Sequence, residues 1–400
     1  MKAVRLSDLI SDARSGFASG KRDPTGVFQV RMNNVTRGGG WDLANKRYVP
    51  LEERSLDRYS LARGDVLFNA TNSPELIGKT ALVAHLDEPT VFSNHFLRLR
   101  TDATRLDPRY LARWLQLQFD RGLFSAISQR WVNQASVPRD RLLTLLVPLP
   151  SLDAQQRVAR LLDVADQARL KREKSFQLIE LLPAVLFREM FGTSEPAEGT
   201  WPVAPLSACV GGVEGGRSLA GVDEQDDKAR FRVLRVSAVT SNEFRPGESR
   251  PAPSAYQPPP AHFVRQGDLL FSRANTSTLV GAVALVNETP ENLLLPDKLW
   301  RIVWRDPDEA TPEFVWQLLQ SPYARRAISR RATGTSGSMK NISAEKLLSI
   351  SVIHPPHALR TEFAAKYRGV QALMAGARAH LDHLDALFAS LQHRAFAGEL

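Results

Sequence analysis

Two sets of polar residues have the types and spacing to touch nucleic-acid bases. The first is Asn69, Thr71 and Asn72, which returns further along the chain as Ser272, Arg273, Asn275 and Thr276. The second is Arg130, Asn133 and Gln134, within Arg130-Trp131-Val132-Asn133-Gln134-Ala135-Ser136. Its counterpart is Ser336, Ser338, Lys340 and Asn341, within Gly334-Thr335-Ser336-Gly337-Ser338-Met339-Lys340-Asn341. Arginine reads guanine, and asparagine or glutamine reads adenine, through paired hydrogen bonds in the major groove. Small hydroxyl and amide residues beside Arg or Lys suit phosphate contacts. Arg31, Arg235 and Lys298 lie at matched points of the same pattern and complete the set of candidate DNA contacts. Asn, Ser and Gly are also default turn formers, so the loops as a class, more than any single residue, carry this expectation.

Other chemistries find less support. Gly78-Lys79-Thr80 resembles the end of a phosphate-binding loop, but the glycine required five residues earlier is Ser73, and Lys79 reads as a strand-edge charge. His354 with His357, and His380 with His383, lack a third ligand in frame and read as exposed histidines, so no metal site is assigned. Gly38-Gly39-Gly40 lacks the strand–turn–helix setting of a dinucleotide fingerprint. There is no Asn-Pro-Pro-aromatic motif for adenine methylation and no acidic cluster for nuclease metals, and Cys209 has no base nearby. The cluster Arg169, Lys171, Arg172 and Lys174 reads as a DNA-facing band or a solvated helix face. No catalytic residues are assigned; a self-contained enzyme is not expected.

Composition agrees with a polyanionic partner. Among 400 residues, 52 Lys and Arg against 43 Asp and Glu leave a net charge of +9, which favours nucleic acid. At 43% hydrophobic and 24% charged the chain is ordinary globular protein. The single cysteine excludes an internal disulfide and fits a reducing cytosol. No stretch reaches the ~20 apolar residues of a membrane span, and the first residues have no apolar signal core. A soluble cytoplasmic protein is expected.

The elements that must position these loops occur twice. Gly64-Asp65-Val66-Leu67-Phe68 returns as Gly267-Asp268-Leu269-Leu270-Phe271. At nearly the same offset Asn94 to Arg98 faces Asp297 to Arg301, Arg31 to Thr36 faces Arg235 to Thr240, and Pro150 faces Pro355. Each copy begins with a mixed part, with β-like runs such as Thr80 to Val83, Phe92 to Arg98 and Leu142 to Val147. Helices interrupt it at Pro108 to Phe119 and Pro312 to Gln320, proline suiting the first turn.

A long helix closes each copy, residues 153–191 and 358–396. In the second, Phe363, Tyr367, Val370, Met374, Ala377, Leu381, Leu384, Phe388 and Leu391 step by alternate fours and threes, the period of a coiled-coil seam. In the first, Val158, Leu162, Ala165, Phe176, Ile179 and Leu186 keep the seam. Arg169, Arg172 and Pro183 break it, and Pro183 should kink or open the helix. Two such seams in one chain most cheaply bury each other. Thr193 to Pro205 reads as an exposed connection, and the Pro-rich stretch Pro246 to Pro260 as a surface loop peculiar to the second copy.

The run Val147-Pro148-Leu149-Pro150-Ser151-Leu152-Asp153-Ala154-Gln155-Gln156-Arg157, with the helix ending Leu186 to Gly192, resembles the central conserved region of type I restriction–modification specificity subunits. Leu391 to Leu400 resembles the ending of the same family, and the Gly-Asp-aliphatic-Leu-Phe strand occurs in both of its recognition domains. The second copy departs at Val352 to His357, which weakens the proline-rich pattern and lacks its glutamine.

The resemblance implies an α+β chain with two mixed α/β target recognition domains (1–150 and 206–356), separated by two long antiparallel coiled-coil helices (151–192 and 357–400), with 193–205 as linker. It implies a non-catalytic reader of a bipartite double-stranded DNA target that docks two methyltransferase subunits on the helices and is joined by restriction subunits. The coiled-coil and partner-docking residues would be Val158, Leu162, Phe176, Ile179, Leu186, Phe363, Tyr367, Val370, Leu381, Leu384, Phe388 and Leu391. S-adenosylmethionine, ATP and magnesium would belong to the partners, with no cofactor on this subunit. Two alternatives are the recognition region of a single-chain restriction–methyltransferase and a non-catalytic coiled-coil scaffold.

Overall fold

The computed structural model describes residues 2–50, 53–219, 229–336 and 339–400. The chain forms two compact units, Met1–Glu173 with Ala379–Leu400, and Lys174–Arg378. Each unit therefore holds one repeat together with part of both long helices, rather than leaving the helices as bodies of their own.

The first unit is built around a strand apolar on both faces. Val66–Asn69 is buried throughout and lies between Phe96–Thr101 and Thr80–Leu82, with Ile10–Ser15 at the far edge, all antiparallel. Side chains alternate across a strand. Val66 and Phe68 accordingly join one core with Leu99, Tyr110 and Trp114, while Leu67 joins another with Phe28, Val30 and Phe92. Burying such side chains contributes about 1.5–3 kcal/mol each. The second core is closed by a three-stranded sheet of Tyr48–Val49, Val27–Val30 and Thr90–Phe92. Ala3–Arg5 pairs with Leu146–Pro148. Leu142 to Val147, expected as one strand, is instead a helical turn Arg139–Leu143 followed by that short strand, because Leu142 plugs the core from the turn.

The second unit repeats this plan. Leu269–Ser272 lies between Leu299–Trp304 and Val283–Leu285, with Val210–Gly215 at the edge. Leu269 and Phe271 face one core and Leu270 the other. Two expectations from the sequence change here. Pro246 to Pro260 contains the strand Ser249–Pro251, which pairs with Arg232–Leu234 as Tyr48–Val49 pairs with Val27–Val30, so it is not peculiar to this copy. The connection Thr193 to Pro205 ends in the strand Val203–Pro205, paired with Ser351–Ile353, and Trp201 packs on Phe191. Apolar groups at its end pull it into the domain.

The recurring Gly-Asp pair has a structural cause. Asp65 accepts from the Ala62 N–H at 2.8 Å and pairs with Arg100 at 2.7 Å. Asp268 accepts from the Arg265 N–H at 2.7 Å and pairs with Arg301 at 2.8 Å. One carboxylate thus closes the turn and neutralises an arginine on the neighbouring strand, as burial of charge requires.

The helices keep their seam by different means in each unit. In the first, Val158, Ala159, Leu162 and Ala395 are buried in one core. Arg169, which interrupts the apolar pattern, pairs with Asp166 at 2.9 Å and Asp385 at 3.4 Å and lies over the Phe388 ring at 5.3 Å. Arg113 adds pairs to Asp163 and Asp166 at 2.9 and 2.8 Å. In the second unit Phe187 and Phe191 meet Phe363 at 5.5 and 5.8 Å, while Arg378 caps Phe176 at 4.0 Å. Rising numbers on one helix meet falling numbers on the other, so the pair is antiparallel. The first long helix runs Leu152–Glu180 and restarts as Leu182–Phe191. Pro183, without an N–H, sits at the start of the new segment, where none is needed.

Gln155, from the motif Asp153-Ala154-Gln155-Gln156-Arg157, is fully buried. Its amide accepts from the Asp107 N–H at 2.9 Å and donates to the carbonyls of Arg105 and Pro150 at 2.9 and 3.0 Å. Asp107 then caps the helix Pro108–Asp120. The second copy lacks this glutamine, and Arg360 replaces it: its guanidinium donates to the Pro355 carbonyl at 3.2 Å and to Thr311, the residue before the helix Pro312–Gln320, at 3.4 Å. Different side chains make the same clamp.

Two turns require glycine. Gly78 has φ +92°, and a Cβ there would lie 2.2 Å from the buried Phe124 ring; Gly281 has φ +81° and would meet Ile328 at 2.6 Å. Gly78→Ala should destabilise the first unit by about 2–4 kcal/mol through backbone strain and overpacking. Urea unfolding measures this, and a native midpoint would refute the packing.

Candidate nucleic-acid interface

The two polar loops of each copy, distant in sequence, form one ribbon. Asn72 pairs with Ala135 and Thr71 with Ser136, and Gln129–Arg130 completes a three-stranded sheet. In the second unit Ala274 pairs with Asn341 and Asn275 with Lys340, with Thr333–Ser336 as the third strand.

The anchors match in both units. The N–H groups of Ala70 and Thr71 donate to the His95 carbonyl at 2.9 and 3.2 Å, and that of Arg273 donates to the Lys298 carbonyl at 3.1 Å. Val137 N–H donates to Ala70 O and Ile342 N–H to Arg273 O, at 2.9 and 3.1 Å. Asn72 Nδ2 donates to Asn69 Oδ1 and Asn275 Nδ2 to Ser272 Oγ, while each asparagine oxygen accepts from the next N–H at 2.8 Å. The local backbone is therefore set largely by main-chain bonds and one asparagine per copy.

Some expected contact residues are corrected by this geometry. Asn69 is fully buried, bonded to the carbonyls of Thr71 and His95, and supports the loop instead of facing a ligand. Asn72 and Asn275 are half-buried and held within the turn. Thr71 bonds Ser136 at 3.4 Å, and Thr276 bonds Thr278 at 3.2 Å. Arg273 lies over the Trp300 ring at 5.2 Å, half-buried; stacking orients its guanidinium, and it stays a candidate contact of the second unit. Lys340 donates to the Gly334 carbonyl across its own hairpin at 3.0 Å, and Asn341 and Lys298 are half-buried. Ser338 lies outside the described residues, and of Ser336 the backbone strand alone is described.

Exposed members remain. Arg130, Asn133 and Gln134 stand at the ribbon tip of the first unit, and Arg31 and Arg235 are exposed at matched positions. Arg31, Met32, Asn33, Ser93 and His95 line a cavity of about 300 Å³. Burial, and then the Arg31 charge, hold His95 below the usual imidazole range. Lys79 is not the strand-edge charge expected: it is buried and donates to the carbonyls of Met32 and Val35 at 2.9 and 2.6 Å, fixing the loop that carries Arg31. Burial also depresses its pKa.

The sequence reading passed over Arg139 and Arg141, both exposed beside the first ribbon, and over Trp131 and Val132 at its tip. Residue type alone marks neither set; exposure does.

The seam residues are buried or half-buried, as a coiled-coil seam requires. Val158, Leu162, Phe176, Phe363, Tyr367 and Leu381 are buried, and Ile179, Leu186, Val370, Leu384, Phe388 and Leu391 are half-buried. They pack within the units, leaving little surface for a partner. The apolar side chains that do face solvent include Leu161 and Val164 in the first unit, and Leu178, Leu181, Leu182 and Val185 in the second. The latter four follow helical i, i+3, i+4, i+7 spacing, an apolar stripe. Among the described residues no helix is long and apolar enough to cross a membrane.

Each unit thus builds a polar ribbon on the same plan of strands and anchors. The type I restriction modification DNA specificity domain matches residues 3–181. The EcoKI specificity subunit of Escherichia coli K12 is 25% identical over 392 residues, spanning 93% of this chain and 82% of that one. The putative MjaX specificity subunit of Methanocaldococcus jannaschii is 27% identical over 188 residues, 46% of this chain and 44% of that subunit's length. The S subunit structure from M. genitalium shares the fold with a TM-score of 0.59 at 13% identity, covering 99% of this chain and 96% of that one. A second chain, from a structure described as underlying complex assembly and conformational transition of the type I R-M system, gives 0.58 at 19% identity, covering 100% and 98%. The chain thus carries a type I restriction modification DNA specificity domain in its first half and is similar to specificity subunits over most of its length.

Because Asn69 supports the loop, Asn69→Ala should lower stability by about 1–3 kcal/mol, leaving buried partners unsatisfied. Chemical denaturation should show this loss. Native stability combined with altered base preference would instead return Asn69 to the reading surface.

Proposed function

We propose that this chain is the DNA-reading, non-catalytic subunit of a type I restriction–modification assembly, each unit reading one half of a bipartite target. The observation that carries it is the polar ribbon, built twice on matching hydrogen bonds but furnished with different side chains. One scaffold with two surfaces suits two unlike half-sites. The net charge of +9 supplies the general attraction to phosphate.

The partners follow from the same reading. Two methyltransferase subunits dock on the helices, and the exposed apolar residues, Leu161 and Val164 in one unit and Leu178 to Val185 in the other, are the contacts we assign to them. Restriction subunits join that complex. S-adenosylmethionine, ATP and magnesium are bound by the partners, and the assembly works on DNA in the cytoplasm.

The test is the methylated motif produced when this chain and its methyltransferase are expressed in a host without other methyltransferases. A two-part motif is expected. Arg273→Ala should relax one half by about 1–3 kcal/mol while the other keeps its preference. Equal weakening on all sequences would make Arg273 a phosphate contact, and a motif without two halves would overturn the proposal.

A further inference from the structure

At the tip of the first unit's ribbon, two large apolar side chains stand in solvent. Val132 is 99% exposed and Trp131 60% exposed. Isolated apolar residues on a surface are ordinary, but an adjacent pair of this size at a tip gains nothing from folding. Among the described residues the Trp131 ring makes no hydrogen bond or ring contact.

The stalk beneath them is firmly seated. Gln129 pairs with Ser136 and Arg130 with Ala135, and the Trp131 N–H donates to the Gln134 carbonyl at 2.8 Å, leaving Val132 and Asn133 as the turn. Ala135 and Val137 are buried and fix the return strand in the core. Arg130 donates to the Ser125 carbonyl and hydroxyl at 3.3 and 3.0 Å.

What surrounds the tip selects its partner. Arg130, Asn133 and Gln134 are exposed beside the apolar pair, with Glu75 near enough to Arg130 to feel its charge, and Arg139, Asp140 and Arg141 are exposed a few residues further along the chain. An apolar protein pocket would leave these cations and amides unmatched. Duplex DNA offers phosphates to the arginines, base edges to the amides and stacked faces to the indole. We propose that Trp131 and Val132 form an apolar wedge that enters a base step of the half-site read by the first unit, Trp131 stacking on the exposed base and Val132 filling the opened step.

This rests on the DNA-reading role proposed above and adds a second mode, readout of how easily a step opens. Pyrimidine–purine steps unstack most readily, so the wedge favours TA or CA/TG. The second unit's hairpin carries no aromatic residue; its exposed apolar side chain is Met339, 42% exposed.

The experiment uses the full chain with its methyltransferase subunit and target duplexes identified from the methylated motif. 2-Aminopurine replaces single bases outside the methylated position, and Arg273→Ala identifies which half belongs to the second unit. The native chain should raise fluorescence several-fold at one step of the first unit's half-site. Trp131→Ala should abolish that rise and weaken binding roughly ten- to hundredfold, the range of one base–aromatic stack. The salt dependence should stay the same, since no phosphate contact is lost, and Trp131→Phe should recover most of the affinity.

Sequence-specific binding by the native chain without any fluorescence rise would overturn the wedge. So would a Trp131→Ala, Val132→Ser double variant that binds within about twofold of native, or one whose defect lies in methyltransferase assembly. A native chain unable to distinguish target from scrambled duplex would remove the DNA-reading role itself, and the wedge with it.

Discussion

Antiparallel pairing between two distant polar loops is the constraint on which the rest of the structure depends. Thr71 meets Ser136 across 65 residues of chain, and Asn275 meets Lys340 in the same way. Closing such loops is unfavourable in entropy, and a short polar strand pair buries too little apolar surface to offset it. The cores behind the ribbon supply that stabilisation. Val66 and Phe68, or Leu269 and Phe271, bring the neighbouring strands into register, and the ribbon strands continue directly from the buried ones.

Charges inside the fold serve the same end. Arg98 is almost wholly buried and joins Asp12 at 2.6 Å and the Ser60 carbonyl at 2.7 Å. Burial works to raise the Asp12 carboxyl, but the Arg98 hydrogen bond and the surrounding arginine charges prevail and hold it below the ordinary carboxylate range. Arg301, at the matching position, binds Asp268 and backbone carbonyls instead. A buried arginine held by a carboxylate and backbone carbonyls cannot shift without stranding its charge, so neighbouring strands are pinned to each other.

The duplicated plan was legible in the sequence because its signals are local: a turn glycine followed by a capping aspartate, an apolar strand, and a proline at the head of a helix. The two reading loops could be named for the same reason. Their union into one ribbon could not, since the pairing of Thr71 with Ser136 has no periodicity to betray it. Nor could polarity separate Asn69, sealed beneath the loop, from Asn133, exposed at its tip. The missing glutamine of the second copy reads as a weakness until Arg360 is seen making the same clamp from a different side chain. Apolar periodicity located the helix seam, because burial on one helix face repeats at a fixed spacing.

The ribbons are fastened by main-chain bonds to His95 and Lys298, whose side chains the bonds ignore, and by one inward-facing asparagine each. The side chains at positions 133 and 134 make no hydrogen bond among the described residues and are thereby released from any duty to the fold. Substitutions there leave folding almost unaffected, so selection can act on them through whatever the ribbon touches. The second ribbon, hung on its own anchors, drifts separately from the first. A lineage carrying this chain can thus revise the outward face of one ribbon in a few steps while the other ribbon and the scaffold stay intact.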